Sequence, residues 1–238
     1  MKRAERHHLK ENELQTIARD LRGRYEERRK ETTAVLVVAA VVAVAAIGFF
    51  AWRERVQTRA ATLLAEATAV KDARIGPPGT AEQGLRFNSE RDRAEAAVKK
   101  FKATADAYPS TDAGIFARFQ EAGTYMVLGN PAQAVAAYQQ VIDKAGNRVY
   151  AQTARLGLAE AQAAQGQYEQ AINTFKELAQ RKEGPLPVDG ILMQLGRTYL
   201  VAGKRADAQQ TFNRLVEEFP DSPYTSDARR ELDTLKKT

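Results

Sequence analysis

From Ala34 to Trp52 the chain reads AVLVVAAVVAVAAIGFFAW, nineteen residues without a charge. At about 1.5 Å of rise per residue this makes roughly 28 Å of helix, close to the hydrocarbon thickness of a bilayer, and it predicts one spanning helix. Phe49, Phe50 and Trp52 gather at its C-terminal end and Arg53 and Arg55 follow. Rings suit headgroup depth and long cations snorkel, so the interface anchor is on that side. Small residues such as Ala43 and Ala45 would suit a signal peptidase. The charged region before them exceeds thirty residues, however, and the apolar run is longer than the roughly 7–15 residues of a signal peptide, which favours an uncleaved anchor.

Outside that block the apolar residues are periodic. In the N-terminal tail, Leu14, Ile17, Leu21 and Tyr25 follow spacings of three and four, the stripe of an amphipathic helix at the membrane surface or on a cytosolic partner. Beyond the block, a shift of 37 residues superposes Ala97, Ala134, Ala171 and Ala208, each followed four residues later by a ring: Phe101, Tyr138, Phe175 and Phe212. Gly129, Gly166 and Gly203 each stand five residues before the alanine, where the turn between two antiparallel helices requires positive φ.

The alanine allows close helix approach, and the ring four positions on falls on the same face and fills the gap to the next unit. A helical hairpin of this kind cannot bury its apolar face alone. Consecutive hairpins therefore stack into a superhelix with one concave surface. The resulting expectation is an all-α chain of three parts: a basic tail over 1–33, a transmembrane helix over 34–52, and a solenoid over 53–238.

The solenoid divides into an irregular first unit (53–110), three fuller units (111–220) and a capping helix (221–238). The first unit pairs a helix from about Ser89 to Tyr108 with the stretch Glu54 to Ala73. Gly76-Pro77-Pro78-Gly79 and the polar run to Asn88 read as a flexible loop between them, and Gly184-Pro185-Leu186-Pro187 as a longer connection between later units. Ser222, before Pro223, reads as the cap of the last helix.

Composition narrows the chemistry. There is no cysteine, which removes disulfides, thiolate metal sites and cysteine nucleophiles. The two histidines, His7 and His8, are adjacent and point about 100° apart on a helix, so they do not share a metal. Neither a glycine-rich phosphate loop nor a convergent titratable set appears, and Glu217-Glu218 reads as solvated surface. No enzyme, cofactor or metal is expected.

The net charge is +6, but residues 1–33 hold ten Lys/Arg against seven Asp/Glu, leaving 26 against 23 for the remainder. A near-balanced solenoid does not suggest a nucleic-acid groove. Close to the span, Arg19, Arg22, Arg24, Arg28, Arg29 and Lys30 on one side face Arg53, Arg55, Arg59 and Lys71 on the other, a bias that keeps the N-terminus inside.

The last unit resembles the tetratricopeptide repeat (TPR) consensus in Leu195-Gly196-x-x-Tyr199, Gly203, Ala208-x-x-x-Phe212 and Pro220. The central units follow more loosely, with Ala122, Tyr125, Gly129, Ala134 and Tyr138 in one and Leu158, Ala159, Gly166, Ala171 and Phe175 in the other. Gln162 departs from the aromatic at its position, and the period exceeds the usual 34.

This resemblance implies a groove lined by the first helix of each hairpin. Carried over, its positions are Phe116, Phe119 and Met126, then Thr153, Leu156 and Glu160, then Met193, Arg197 and Leu200. With Arg197 as its sole cation the set does not suit a clamp for a peptide's terminal carboxylate. An extended or helical apolar segment is the better ligand.

A basic tail, a single span and an alanine-rich TPR domain together resemble the YfgM-type family of ancillary bacterial translocon subunits. The stretch Phe212 to Ala228 also looks like the repeats of envelope-assembly proteins of the cell-division coordinator and outer-membrane-assembly lipoprotein types. The first resemblance implies a single-pass protein of the bacterial inner membrane with a periplasmic solenoid that holds translocon subunits, chaperones or client chains. An envelope-assembly factor and a cytosol-facing scaffold remain as alternatives.

Overall fold

The computed structural model describes residues 4–76, 84–146, 149–180 and 184–237, without the side chains of 4–30, 32 and 149. The side chains of the stripe Leu14–Tyr25 and of the pair His7–His8, and most of the loop at Gly76–Gly79, therefore lie outside what is described. Two compact units are present, Met1–Arg55 and Val56–Thr238.

Helix α1 runs from Ala4 to Lys71. In the first unit every large apolar side chain from Val35 to Trp52 is exposed. Hydropathy and length there meet what a spanning helix needs. Phe49 contacts Phe50 and Trp52 at ring-centroid distances of 5.9 and 6.1 Å.

The second unit is a series of antiparallel hairpins. After α1 come α2 (Glu90–Ala107), α3 (Asp112–Val127), α4 (Pro131–Ala145), α5 (Val149–Ala164), α6 (Tyr168–Ala179), α7 (Val188–Val201), α8 (Arg205–Glu218) and α9 (Thr225–Lys237). Each helix from α2 onward packs on the next. Local chemistry sets the starts: the Ser89 hydroxyl accepts the Asp92 N–H at 3.0 Å, the Thr111 hydroxyl accepts that of Gly114 at 3.0 Å, and Pro131 opens α4. Ser222 accepts the Tyr224 N–H at 3.1 Å in the turn leading into α9.

The stops repeat. Asn130, Gln167 and Lys204 each donate their backbone N–H to the carbonyl five residues back, at Tyr125, Gln162 and Tyr199, all at 2.8 Å. The preceding residues, Gly129, Gly166 and Gly203, have φ of 71°, 81° and 75° and donate three residues back. This is the Schellman stop, and its left-handed position is why glycine recurs there.

The core follows the same period. Ala97, Ala134, Ala171 and Ala208 have no exposed surface, and Phe101, Tyr138, Phe175 and Phe212 are all buried. Burying a ring contributes about 1.5–3 kcal/mol, so this register carries much of the packing. The end of α1 completes the first hairpin: Ala67 and Val70 join Ala97, Phe101, Ala105 and Ala117 in one cluster, and Lys100 pairs with Glu66 at 3.2 Å.

Both ends of the connection between α1 and α2 are held by backbone pairing and side-chain contacts. Within the stretch read as a flexible loop, β2 (Arg86–Phe87) pairs in parallel with β1 (Arg74–Ile75). Phe87 packs on the first cluster, and the Arg93 guanidinium donates to the Ala73 carbonyl at 3.2 Å, which ties both ends of the connection to α2. Two-residue strands carry no periodic signal that a pattern could show.

Candidate protein-binding surface

The first helices of successive hairpins touch: α3 meets α5 and α5 meets α7, whereas no comparable contact joins α4 to α6 or α6 to α8 among the described residues. The surface formed by α3, α5 and α7 is thus continuous across repeats.

Its upstream part is aromatic. Phe116 and Phe119, successive turns of α3, stack at 6.3 Å with 23° between planes. Phe116 meets Tyr150 at 5.5 Å, and Phe119 meets Tyr138 edge-on at 5.8 Å. The row therefore crosses α5, α3 and α4 in the order Tyr150, Phe116, Phe119, Tyr138. Phe116 and Phe119 are half-buried and Tyr150 is 36% exposed, while Tyr138 is buried.

Tyr138 reaches between α3 and α5 because both helices carry glycine where it passes. A Cβ on Gly157 would stand 2.4 Å from its Cζ, and one on Gly123 would stand 3.7 Å from its hydroxyl oxygen. Burial, with the nearby Glu160 charge, pushes the Tyr138 phenol up to about 12. Glu160, half-buried on α5, is itself raised above the ordinary glutamate value by burial.

The structure divides the nine groove positions. Phe116 and Phe119 come together, and Met126 lies half-buried on the same helix, packed with Phe119 against the central cluster. Thr153, Leu156 and Glu160 are half-buried along α5, with Leu156 and, on α7, Leu200 leaning on the downstream core.

Two positions differ from the rest, one in burial and one in pairing. Met193 is only 1% exposed and belongs to that downstream core, so it packs the protein and is not offered to a partner. Arg197 is 48% exposed but is engaged by Asp227 of α9 at 3.6 Å. The C-terminal end of the surface is therefore charge-paired by the final helix.

Tyr150 is not among the groove positions that the repeat consensus supplies, although it lies three residues before Thr153 and ten before Glu160 on one stripe of α5. Tyr138 carries a sequence signal only as the core ring of its repeat.

A polar network borders this surface between α2 and α3. The Arg118 guanidinium donates to Glu121 at 2.5 Å and also to Asp106, which Lys102 approaches at 3.0 Å. Glu121 is only 3% exposed. The Arg118 hydrogen bond holds Asp106 below the usual carboxylate range, whereas burial outweighs the same guanidinium at Glu121 and raises it. Glu121 stands 37 residues before Leu158 and 74 before Leu195, so a buried ionic group occupies what is a core leucine in the next two units.

A family profile described as a tetratricopeptide repeat-like domain matches residues 28–226. Among solved structures, nearly identical TPR-like repeats assigned to a putative kinesin light chain of Podosopora anserina superpose with a TM-score of 0.58 at 14% identity, covering 76% of this chain and 87% of that one. A point variant of those repeats gives 0.58 at 15% identity, covering 76% and 86%. A tetratricopeptide repeat protein from Parabacteroides merdae gives 0.49 at 15% identity over 62% of this chain and 55% of its own. No curated protein sequence matches significantly. At such identities the structural likeness is one of fold, while the family match spans the recurrent stops, the buried alanine–ring register and the surface of first helices; the chain belongs to the tetratricopeptide repeat-like domain family.

Proposed function

We propose that this chain is a membrane-anchored protein-interaction module of the bacterial inner membrane, acting by binding and not by catalysis. Its tail is cytoplasmic and its repeats are periplasmic, where they assist the secretion or folding of envelope proteins by holding translocon subunits, chaperones or client chains. One observation carries the reading: the rings of Phe116, Phe119 and Tyr150 are left partly open side by side on the surface of first helices. Rings half-exposed in a row suit a partner's apolar side chains, since they offer large area at small entropic cost.

The exposed apolar helix before the repeats supports membrane attachment. The basic residues on its N-terminal side support the orientation, and the resemblance to YfgM-type translocon subunits supports the setting.

Two measurements test this. With a tag after Thr238, protease added to intact spheroplasts should digest the repeats; protection until lysis would overturn the periplasmic placement and make a cytosol-facing scaffold the leading reading. A photo-reactive side chain at Tyr150 should then cross-link to secretion-channel subunits, chaperones or emerging chains. Adducts confined to outer-membrane or division machinery would replace the translocon role with envelope assembly.

A further inference from the structure

On the surface of first helices, Glu160 differs from its counterparts in the adjoining repeats. The equivalent position 37 residues earlier is Gly123, which offers no side chain, and 37 residues later it is Arg197, which Asp227 already holds at 3.6 Å. Glu160 is half-buried, and among the described residues it makes neither a hydrogen bond nor an ion pair. Gly157, one turn before it, lies against the Tyr138 ring, and that ring ends the aromatic row through Phe119 and Phe116 to Tyr150.

A carboxylate withdrawn from water without a counter-charge is unfavourable, and a cation brought to it recovers part of that loss. Long basic side chains can also lay their methylenes on apolar surface while their charge sits at a carboxylate. The chain as a whole is net positive, +6, so its general field does not favour basic partners. Any preference for a cation here is local.

We propose that this surface receives a partner segment that sets one lysine or arginine at Glu160 while its neighbouring apolar side chains lie on Phe116, Phe119 and Tyr150. This rests on the reading of the surface as a protein-binding one and adds the chemistry of what it selects.

The test uses the full-length chain in detergent micelles and an array of 15-residue peptides: an apolar helical host, the same host with lysine at each position in turn, and matched versions bearing acetyl-lysine or glutamate. Wild type should retain the best lysine peptides about tenfold more strongly than their acetyl-lysine versions, as a partly buried charge pair warrants. Glu160→Gln should bring the two to parity while still holding apolar peptides. Glu160→Asp, which keeps the charge on a shorter stem, should keep part of the preference and guards against a folding defect in the amide variant.

Equal retention of lysine and acetyl-lysine peptides by wild type, or a preference for glutamate, overturns the proposal and leaves the protein-binding reading standing. Retention of no peptide at all removes both.

Discussion

The ring of Phe212 occupies the place where a side chain on Gly196 would begin: a Cβ there would stand 2.3 Å from Cε1. The same relation joins Tyr138 to Gly157 across two repeats, with 2.4 Å to Cζ. Alanine at either glycine would have to displace a ring already fixed in a core. Gly196→Ala and Gly157→Ala should each destabilise the repeats by about 1–3 kcal/mol, despite alanine's better helix propensity. Gly123→Ala is the control of opposite sign. Its Cβ would make ordinary contact at 3.7 Å, so propensity alone acts and a gain of up to about 1 kcal/mol is expected. Urea unfolding followed by helical circular dichroism separates these cases, and a gain at Gly196 would show that the ring moves freely.

Arg118 and Glu121 bind α3 to itself and, through Asp106, to α2. Removing one member of a buried pair leaves the other uncompensated. Arg118→Met should therefore lower stability by roughly 3–5 kcal/mol. The double variant Arg118→Met with Glu121→Leu should recover much of that, because leucine already fills the equivalent positions at 158 and 195. A double variant as unstable as the single one, in the same unfolding experiment, would mean that the ionic group itself is needed for the junction between α2 and α3.

Burial raises Glu160 above the ordinary glutamate value. The folded state thus binds a proton more readily than the unfolded one, and the stability linked to this group is fully present below the unfolded value, near 4.5, and is lost as pH rises through the raised folded value. Above its raised folded value the Glu160 charge is destabilising, so there Glu160→Gln should melt higher than wild type. The difference should shrink as pH falls toward 4.5. Thermal melts of both proteins at several pH values check the sign, and a gap that widens in acid would contradict it.

What the sequence shows of this fold is its repetition. The alanine–ring register and the glycine stops are strict because each residue meets a local requirement, a close helix approach or a positive φ, that recurs in every hairpin. The paired strands at Arg74–Ile75 and Arg86–Phe87 have no such period, and their partners lie twelve residues apart across a polar connection. The surface is only partly legible for a related reason. Family position places a residue on the first helix of its hairpin but does not fix the depth at which neighbouring units leave it. Met193 is drawn into the core beside Leu192 and Leu195, and Arg197 is claimed by Asp227 of the last helix. Tyr150, in the first turn of α5, joins the row through a contact with a ring one repeat earlier.

Depth also separates binding from packing at three of the groove positions. Phe116 is half-buried, and its ring contacts, Phe119 and Tyr150, are themselves half-buried or at the surface. Phe119 additionally packs on the central core, and Met193 lies wholly inside the downstream one. Phe116→Ser should therefore lose retention of apolar peptides with little shift in the unfolding midpoint. Met193→Ser should cost about 2–5 kcal/mol from the lost volume, and any loss of binding should follow from unfolding. Phe119→Ser should do both in intermediate measure. Were Phe116→Ser to unfold the repeats as severely as Met193→Ser, its ring would be a core residue and the partly open aromatic row would no longer mark a binding surface.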